Sequence, residues 1–301
     1  MMFAIFRTVL VLLLLGAAPA RAWLPEGHMA TGAIAYDILA RYDPTALDVV
    51  RRMMESHPQW PSFRARLTDL AGADRTRRLF ELMAVWPDEA RGGVFDHDDW
   101  HYSQAFVSPI RHLVPQAFGG AEDAYRRNLA IARDPDASDA ARAVALCWVI
   151  HIVGDMHQPL HAALWLSWRF PTSDAGGNWA WVRTAPGTAP QRLHFFWDAA
   201  GRTSGLSRGS PDAFVAQLEA ARPFEAEPRI DNAFAAFDGW VRQARLQAFS
   251  DVYDEGRFQG GVSAADAPVL TAEYVARTRR VGAGAIAAAG NRIGALLLRL
   301  R

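Results

Sequence analysis

The 301-residue sequence predicts an all-α fold with one short β-hairpin inserted. Three observations predict it. Apolar residues recur at helical spacing along most of the chain. The one stretch that breaks this pattern, from Trp165 to Leu193, is rich in Trp, Gly and Pro. No internal repeat, low-complexity linker or second hydrophobic pattern divides residues 23–301, so a single multi-helix domain is the simplest account. Half of the residues are hydrophobic and 21% are charged, enough apolar matter for a sizeable core.

The elements follow in order. Residues 1–22 have Arg7, the apolar run Thr8–Leu15 with VLVLLLL at its centre, and then Ala20-Arg21-Ala22, the three regions of a cleavable secretory signal peptide. The run is short for a membrane span, and residues 23–301 contain no apolar stretch of about 20 residues. With no Asn-x-Ser/Thr sequon, export to a bacterial periplasm or the medium is expected. His28–Tyr42 reads as a helix with Ile34, Ile38 and Leu39 on one side. Asp74 is placed to cap a helix running to about Ala84, with Leu79, Phe80, Leu82 and Met83 as its apolar residues. Ala121–Ala132 reads as another. Ser138 caps a long apolar helix through about Asp155, turning Ala143, Leu146, Cys147, Ile150 and Val153 inward. Residues 178–182 alternate, and Pro186-Gly187-Thr188 can turn the chain before Gln191, which makes the hairpin. Pro211 suits the first turn of a helix reaching Ala221. Helices over Asp231–Phe249 and Thr271–Leu298 complete the set; Arg299 and Arg301 suit the negative pole of the last one.

Lys plus Arg equals Asp plus Glu, 32 each, and every basic residue is Arg. A neutral chain does not hold nucleic acid by bulk electrostatics, although it can still grip one phosphate locally. The single cysteine, Cys147, has apolar neighbours and reads as a buried core thiol. No intramolecular disulfide is possible, so stability must come from the core or from metals.

The nine histidines carry the chemical signal. The densest run is HIVGDMHQPLH, His151 to His161. Residues four apart share a helix face, so His151 and Asp155 can aim at one point, and so can His157 and His161. Pro159 interrupts the second pair, so spacing leaves open which of these two histidines joins the site. A further i, i+4 pair, His194 and Asp198, is separated by Phe195, Phe196 and Trp197 and is expected to face inward with them. Buried polar groups need partners, and a metal satisfies both at once. Imidazole and carboxylate together suit zinc best, with manganese or iron as alternatives. Upstream, Asp88, Arg91 and the run Asp96–Tyr102 interleave acids with Trp86, Trp100 and Tyr102, which is unusual for a purely solvated loop.

These pieces resemble the S1/P1 nuclease family, which shares a superfamily with bacterial zinc-dependent phospholipase C. The matching segments run in order: Trp23 followed by Gly27-His28; Trp86-Pro87-Asp88; Trp100-His101-Tyr102; the block His151–His161; Gly176-Gly177-Asn178; and HFFWD from His194 to Asp198. The resemblance implies a phospholipase C/P1 nuclease-like helical fold and three zinc ions. One would lie on Asp88, His101, His151 and Asp155. A second would lie on His161, His194 and Asp198. The third would lie on His28, Asp155 and Trp23, the last through its free α-amino nitrogen and carbonyl after cleavage at Ala22. His157 becomes a supporting residue, and His57, His97 and His112 bystanders. Three dications against the carboxylates of Asp88, Asp155 and Asp198 make a locally cationic pocket in a neutral chain. Zinc lowers the pKa of a bound water from 15.7 to about 7.

The resemblance further implies hydrolysis of single-stranded DNA or RNA to 5′-phosphorylated products, together with 3′-nucleotidase activity. Asp88 would position or deprotonate the water. Arg91 would neutralise the phosphate, a role its fork suits. Tyr102 is a candidate stacking platform for a base, with ordinary core packing as the alternative. Asn178 is a candidate donor into the site, with a simple turn role as the alternative. A monomer is expected. Two other readings stand beside this one: a phospholipase C, disfavoured because that branch has Glu where this chain has Asp198, and a non-catalytic zinc-binding protein of the periplasm.

Overall fold

The computed structural model describes residues 23–109, 117–200, 211–221, 230 and 232–300. The expected signal peptide and His112 lie outside the described residues.

The helices arise where the sequence has caps and apolar periodicity. Helix α1, Pro25–Tyr42, starts with Pro25 in its first turn, where the missing N–H costs nothing. Helix α2, Pro44–Glu55, is capped by Asp43, whose Oδ1 accepts from the Thr45 and Ala46 amides. Short α3, Trp60–Ala65, follows. Neither α2 nor α3 belongs to the expected set, although Asp43-Pro44 and the buried Ala46, Val50, Met53 and Met54 spell out the first of them. Helix α4 runs Gly72–Glu89, beginning at an Ala71 cap and reaching past Ala84. Asp74 sits in its first turn rather than at the cap. The extra turn is retained because Val85 and Trp86 are buried and the Trp86 indole donates to Gln59 at 2.7 Å.

Helices α5, Ala121–Arg133, and α6, Asp139–Asp155, pack on each other. Ser138 caps α6 as the sequence suggests. From Ala145 to Asp155, however, α6 is buried on every side, so it is a central helix and not an amphipathic one. Short α7, Pro159–Ala162, and α8, Leu193–Asp198, flank the expected hairpin, whose strands β4 (Trp181–Val182) and β5 (Gln191–Arg192) pair antiparallel. A second sheet was not foreseen: β1, Gln104–Val107, pairs antiparallel with β2, Ala117–Phe118, and parallel with β3, Ala163–Trp165. Strands this short carry no periodicity to read. Helices α9, Asp212–Ala221, and α10, Ala233–Gln247, precede the long α11, Ala272–Leu297.

Helix α11 lies along α1 at close range. A Cβ on Gly290 or Gly294 would sit 2.6 Å from Ile34 or 2.9 Å from Ile38, so glycine is what permits this approach. The contact seals the core around Ile34, Ile38 and Ile286 and fixes the turn of α1 that presents His28. Truncating Ile34 to Ala would leave a cavity costing about 2–5 kcal/mol. Cys147 lies in the core with its sulfur 3.9 Å from that of Met54, and burial pushes its thiol pKa up. No helix among the described residues is long and apolar enough to cross a membrane.

Candidate metal centre

Four separate segments converge on one buried volume: the start of α1, the end of α4, the 3₁₀ turn Asp98–His101, and the last turn of α6. Asp155, fully buried at the end of α6, is their hub. Its Oδ2 lies 3.1 Å from His101 Nδ1 and 3.2 Å from His151 Nε2, and its Oδ1 lies 3.2 Å from His28 Nε2. Asp88 flanks the same point, 3.8–4.0 Å from His101, His28 and His151. The His28 ring stacks on that of His151, with centroids 4.2 Å apart. Gly154 makes this possible, because a Cβ there would come within 3.0 Å of His28 Nδ1. Pro87 removes one helical N–H just before Asp88, and in the same turn the Ala84 carbonyl accepts from His151 Nδ1 at 2.7 Å, which turns Nε2 toward the site.

A second group stands on α7 and α8. His161 Nε2 is 3.1 Å from His194 Nε2, which is 3.5 Å from Asp198 Oδ1. The unforeseen sheet places His161: pairing of β1 with β3 sets residues 101–107 beside 161–165. Ser103 then donates to the His161 carbonyl at 3.0 Å, and His161 Nδ1 donates to the His101 carbonyl at 2.6 Å. His157 departs, because α6 ends at Asp155 and the chain turns through Gln158 before Pro159 restarts it. His157 Nδ1 donates to the Val153 carbonyl and its Nε2 accepts from Arg292, both at 2.6 Å; burial and the Arg292 charge push it down to about 3 and keep it neutral.

The donor atoms fit a metal. Three sets each bring their donor atoms within 4.8 Å of one another: His28, Asp88 and His151; His101, His151 and Asp155; and His161, His194 and Asp198. Two ligands of one tetrahedral zinc are separated by about 3.3 Å, close to the contacts above. Among the described residues, His28 Nε2, Asp88 Oδ2 and Asp155 Oδ1 are buried without a hydrogen-bond partner, a costly arrangement that a cation would resolve. Electrostatics distinguish the groups. Burial pushes Asp155 up, but the charge of His151 and the close approach of the His101, His151 and His28 rings outweigh it and hold the carboxyl well below its usual range. Burial depresses His151, yet Asp155 and Asp88 raise it to about 8. At Asp198 burial outweighs the hydrogen bond from the Gln158 amide, at 2.6 Å, and drives the carboxyl well above its usual range, with Asp88 and Asp155 adding to the rise.

The remaining candidates cluster nearby or turn away. Trp23 is fully buried; its indole donates to the Gly154 carbonyl at 3.0 Å, and the Leu24 amide donates to the Asp198 carbonyl at 3.1 Å. The start of the described chain thus lies between the ends of α6 and α8. Arg91 Nε donates to Asp88 at 3.2 Å and its Nη1 to Asp98 at 2.6 Å. Tyr102 is half-buried with its ring against Gly119. The Asn178 amide donates to the Ala175 carbonyl at 2.9 Å, within its own turn. His57 packs edge-on against Trp86 and His97 stacks on Trp100, each apart from the three sets. Sequence reasoning passed over Gln158, which is fully buried and bonds both Asp198 and the Leu160 amide. A polar residue inside HIVGDMHQPLH was the available signal.

No curated protein matches the chain. The model of the S1/P1 nuclease family matches residues 23–301, nearly the whole sequence. Both the length of that match and the buried His/Asp sets at its centre fit a group of hydrolases that act on nucleic acids and are typically metal-dependent. The chain belongs to the S1/P1 nuclease family.

Proposed function

We propose that this protein is a zinc-dependent phosphodiesterase that cuts single-stranded DNA and RNA to 5′-phosphorylated products and removes 3′-phosphates from nucleotides. One observation carries the reading: three buried His/Asp sets could each hold a metal ion, and several of their polar atoms have no hydrogen-bond partner among the described residues. Asp88, His101, His151 and Asp155 would hold one zinc; His161, His194 and Asp198 a second; and His28, Asp155 and the α-amino group of Trp23 a third. When bound, these ions would supply Lewis-acid stabilisation of phosphoryl charge and acidify a water at neutral pH.

The chain's own groups do the rest. Asp88 faces the site with an oxygen that makes no hydrogen bond and is available to orient the attacking water and accept its proton. Arg91, against Asp88, swings part of its fork from Asp98 to the phosphate and spreads the charge that grows during in-line attack. Tyr102 offers its ring to an unpaired base, which favours single strands. Asn178 lies beside Gly177, whose carbonyl accepts from the His194 amide, and contributes a polar edge to the pocket.

The third set gives export a chemical meaning. An α-amino group, with a pKa near 8, loses its proton and binds metal far more readily than a peptide amide. Residues 1–22 act as a signal peptide in this reading, and cleavage after Ala22 completes the site outside the cytoplasm. A protein carrying one extra residue before Trp23 is expected to bind one zinc fewer by elemental analysis; a full complement refutes the Trp23 role. Offering single-stranded DNA, RNA, a 3′-nucleotide and phosphatidylcholine in parallel tests the activity. Release of 5′-phosphorylated products and of phosphate from the 3′-nucleotide supports it, and turnover of phosphatidylcholine alone overturns it.

A further inference from the structure

Asp174 is a carboxylate completely removed from water and outside the three His/Asp sets. Its Oδ1 accepts from the Trp165 amide at 2.8 Å and its Oδ2 from the Tyr253 hydroxyl at 2.5 Å. The amides of Gly176 and Gly177 also favour its charged form. The three residues that follow it are all left-handed, with φ of 54° at Ala175, 60° at Gly176 and 80° at Gly177. Such a run is uncommon, and at Ala175 a side chain makes it costly. It forms a nest of amides around an anion, and the anion is the Asp174 side chain itself.

The far side of this nest meets the metal centre. The Gly176 carbonyl accepts from His194 Nδ1 at 2.6 Å, and the Gly177 carbonyl accepts from the His194 amide at 3.2 Å. A Cβ on Gly177 would come within 3.0 Å of the His194 nitrogen. The other two oriented imidazoles lean on regular structure: His151 on a carbonyl within α4, and His161 on His101, which the β1–β3 pairing holds. The Gly176 carbonyl has neither a helix nor a ladder behind it. Trp165 ends β3, directly after the α7 that carries His161, and Tyr253 stacks on the Trp165 ring with centroids 4.5 Å apart.

We propose that Asp174, clamped by Tyr253 and the Trp165 amide, is a positioning residue for metal capture at His161, His194 and Asp198: it holds Gly176 and Gly177 left-handed, so that the Gly176 carbonyl orients His194 with Nε2 toward His161. This rests on the metal reading of that set. Burial pushes Asp174 up to about 6 despite its hydrogen bonds, so the fold carries this charge at a cost.

The test is zinc uptake by the full-length mature protein and its D174N, Y253F and H194A variants across a series of buffered free-zinc concentrations, with zinc per chain and kcat and KM read at each. In D174N an NH₂ group stands where donors now point. We expect one site of D174N to need about 10- to 100-fold more free zinc, with the others unmoved. Its kcat should return as zinc is added, at little changed KM. Y253F should shift the same site in the same direction by severalfold. Wild-type filling of every site in both D174N and Y253F overturns the proposal; if D174N does not fold, the Y253F result decides alone. A zinc-deficient H194A beside unaffected D174N and Y253F overturns only the positioning role. An H194A that keeps the wild-type zinc complement overturns the metal reading of the set and the proposal with it.

Discussion

The two halves of the metal centre are built from similar residues and differ in what stands behind them. Around Asp155, long helices and a 3₁₀ turn bring three imidazoles and a second carboxylate to one point, and the histidine charges keep Asp155 ionised. Around Asp198, two short helices and a strained loop bring two imidazoles, one amide and a carboxyl pushed well above its usual range. The first half is electrostatically prepared before any ion arrives. In the second, burial disfavours the charged form of Asp198, so its affinity depends more on its supports and on pH.

The largest effect that would break this comparison is the pair D155N and D198N. Losing the hub that faces His28, His101 and His151 should lower kcat/KM by roughly a thousandfold or more, whereas D198N should lose roughly a hundredfold and regain part of it with added zinc. Equal, zinc-insensitive losses would contradict the difference drawn here. Next in size is chelation. The sole cysteine is free, so the stability that metal binding would supply is shared with no disulfide. Stripping the ions should lower Tm by about 10 °C, with the amides of α8 exposed to hydrogen exchange before those at the end of α6. An unchanged melt would show that the two halves stand without metal.

The smallest effect concerns the frame of the first half. His57 packs on Trp86, two residues before Asp88, and burial lowers its pKa from 6.5 to about 4. The unfolded chain takes up a proton below about pH 6.5 that the folded chain refuses. The contribution of neutral His57 is therefore full above pH 6.5 and declines as pH falls toward 4, by about 3 kcal/mol in all. Urea melts of H57Q should lack that part of the slope; identical slopes would remove His57 from the account.

Much of the site was legible because helix geometry is local. Two residues four apart share a face, and His151 with Asp155 and His194 with Asp198 do face each other. The same rule left His157 and His161 open, since it holds only while the helix continues and here α6 stops at Asp155. Proximity of His28 and Asp88 to this point could come only from the resemblance, because they lie on helices far apart in sequence. The fold class was readable from periodicity. The three-stranded sheet was not, since each strand is too short to alternate, yet it is what brings His101 beside His161. Asp174 gave no signal, because its partners come from Trp165, the glycine turn and Tyr253.

The sequence by itself determined the helical architecture, the hairpin, the inventory of imidazoles and carboxylates and the two pairs spaced by one helical turn, because all of these are set by neighbours within a few residues. Tertiary structure alone decided which histidine of HQPLH turns inward, how closely α11 approaches α1 under His28, and why the pKa of Asp155 is pushed down while that of Asp198 is pushed up. Those outcomes depend on burial and on charges brought from distant segments, and neither exists until the chain has packed.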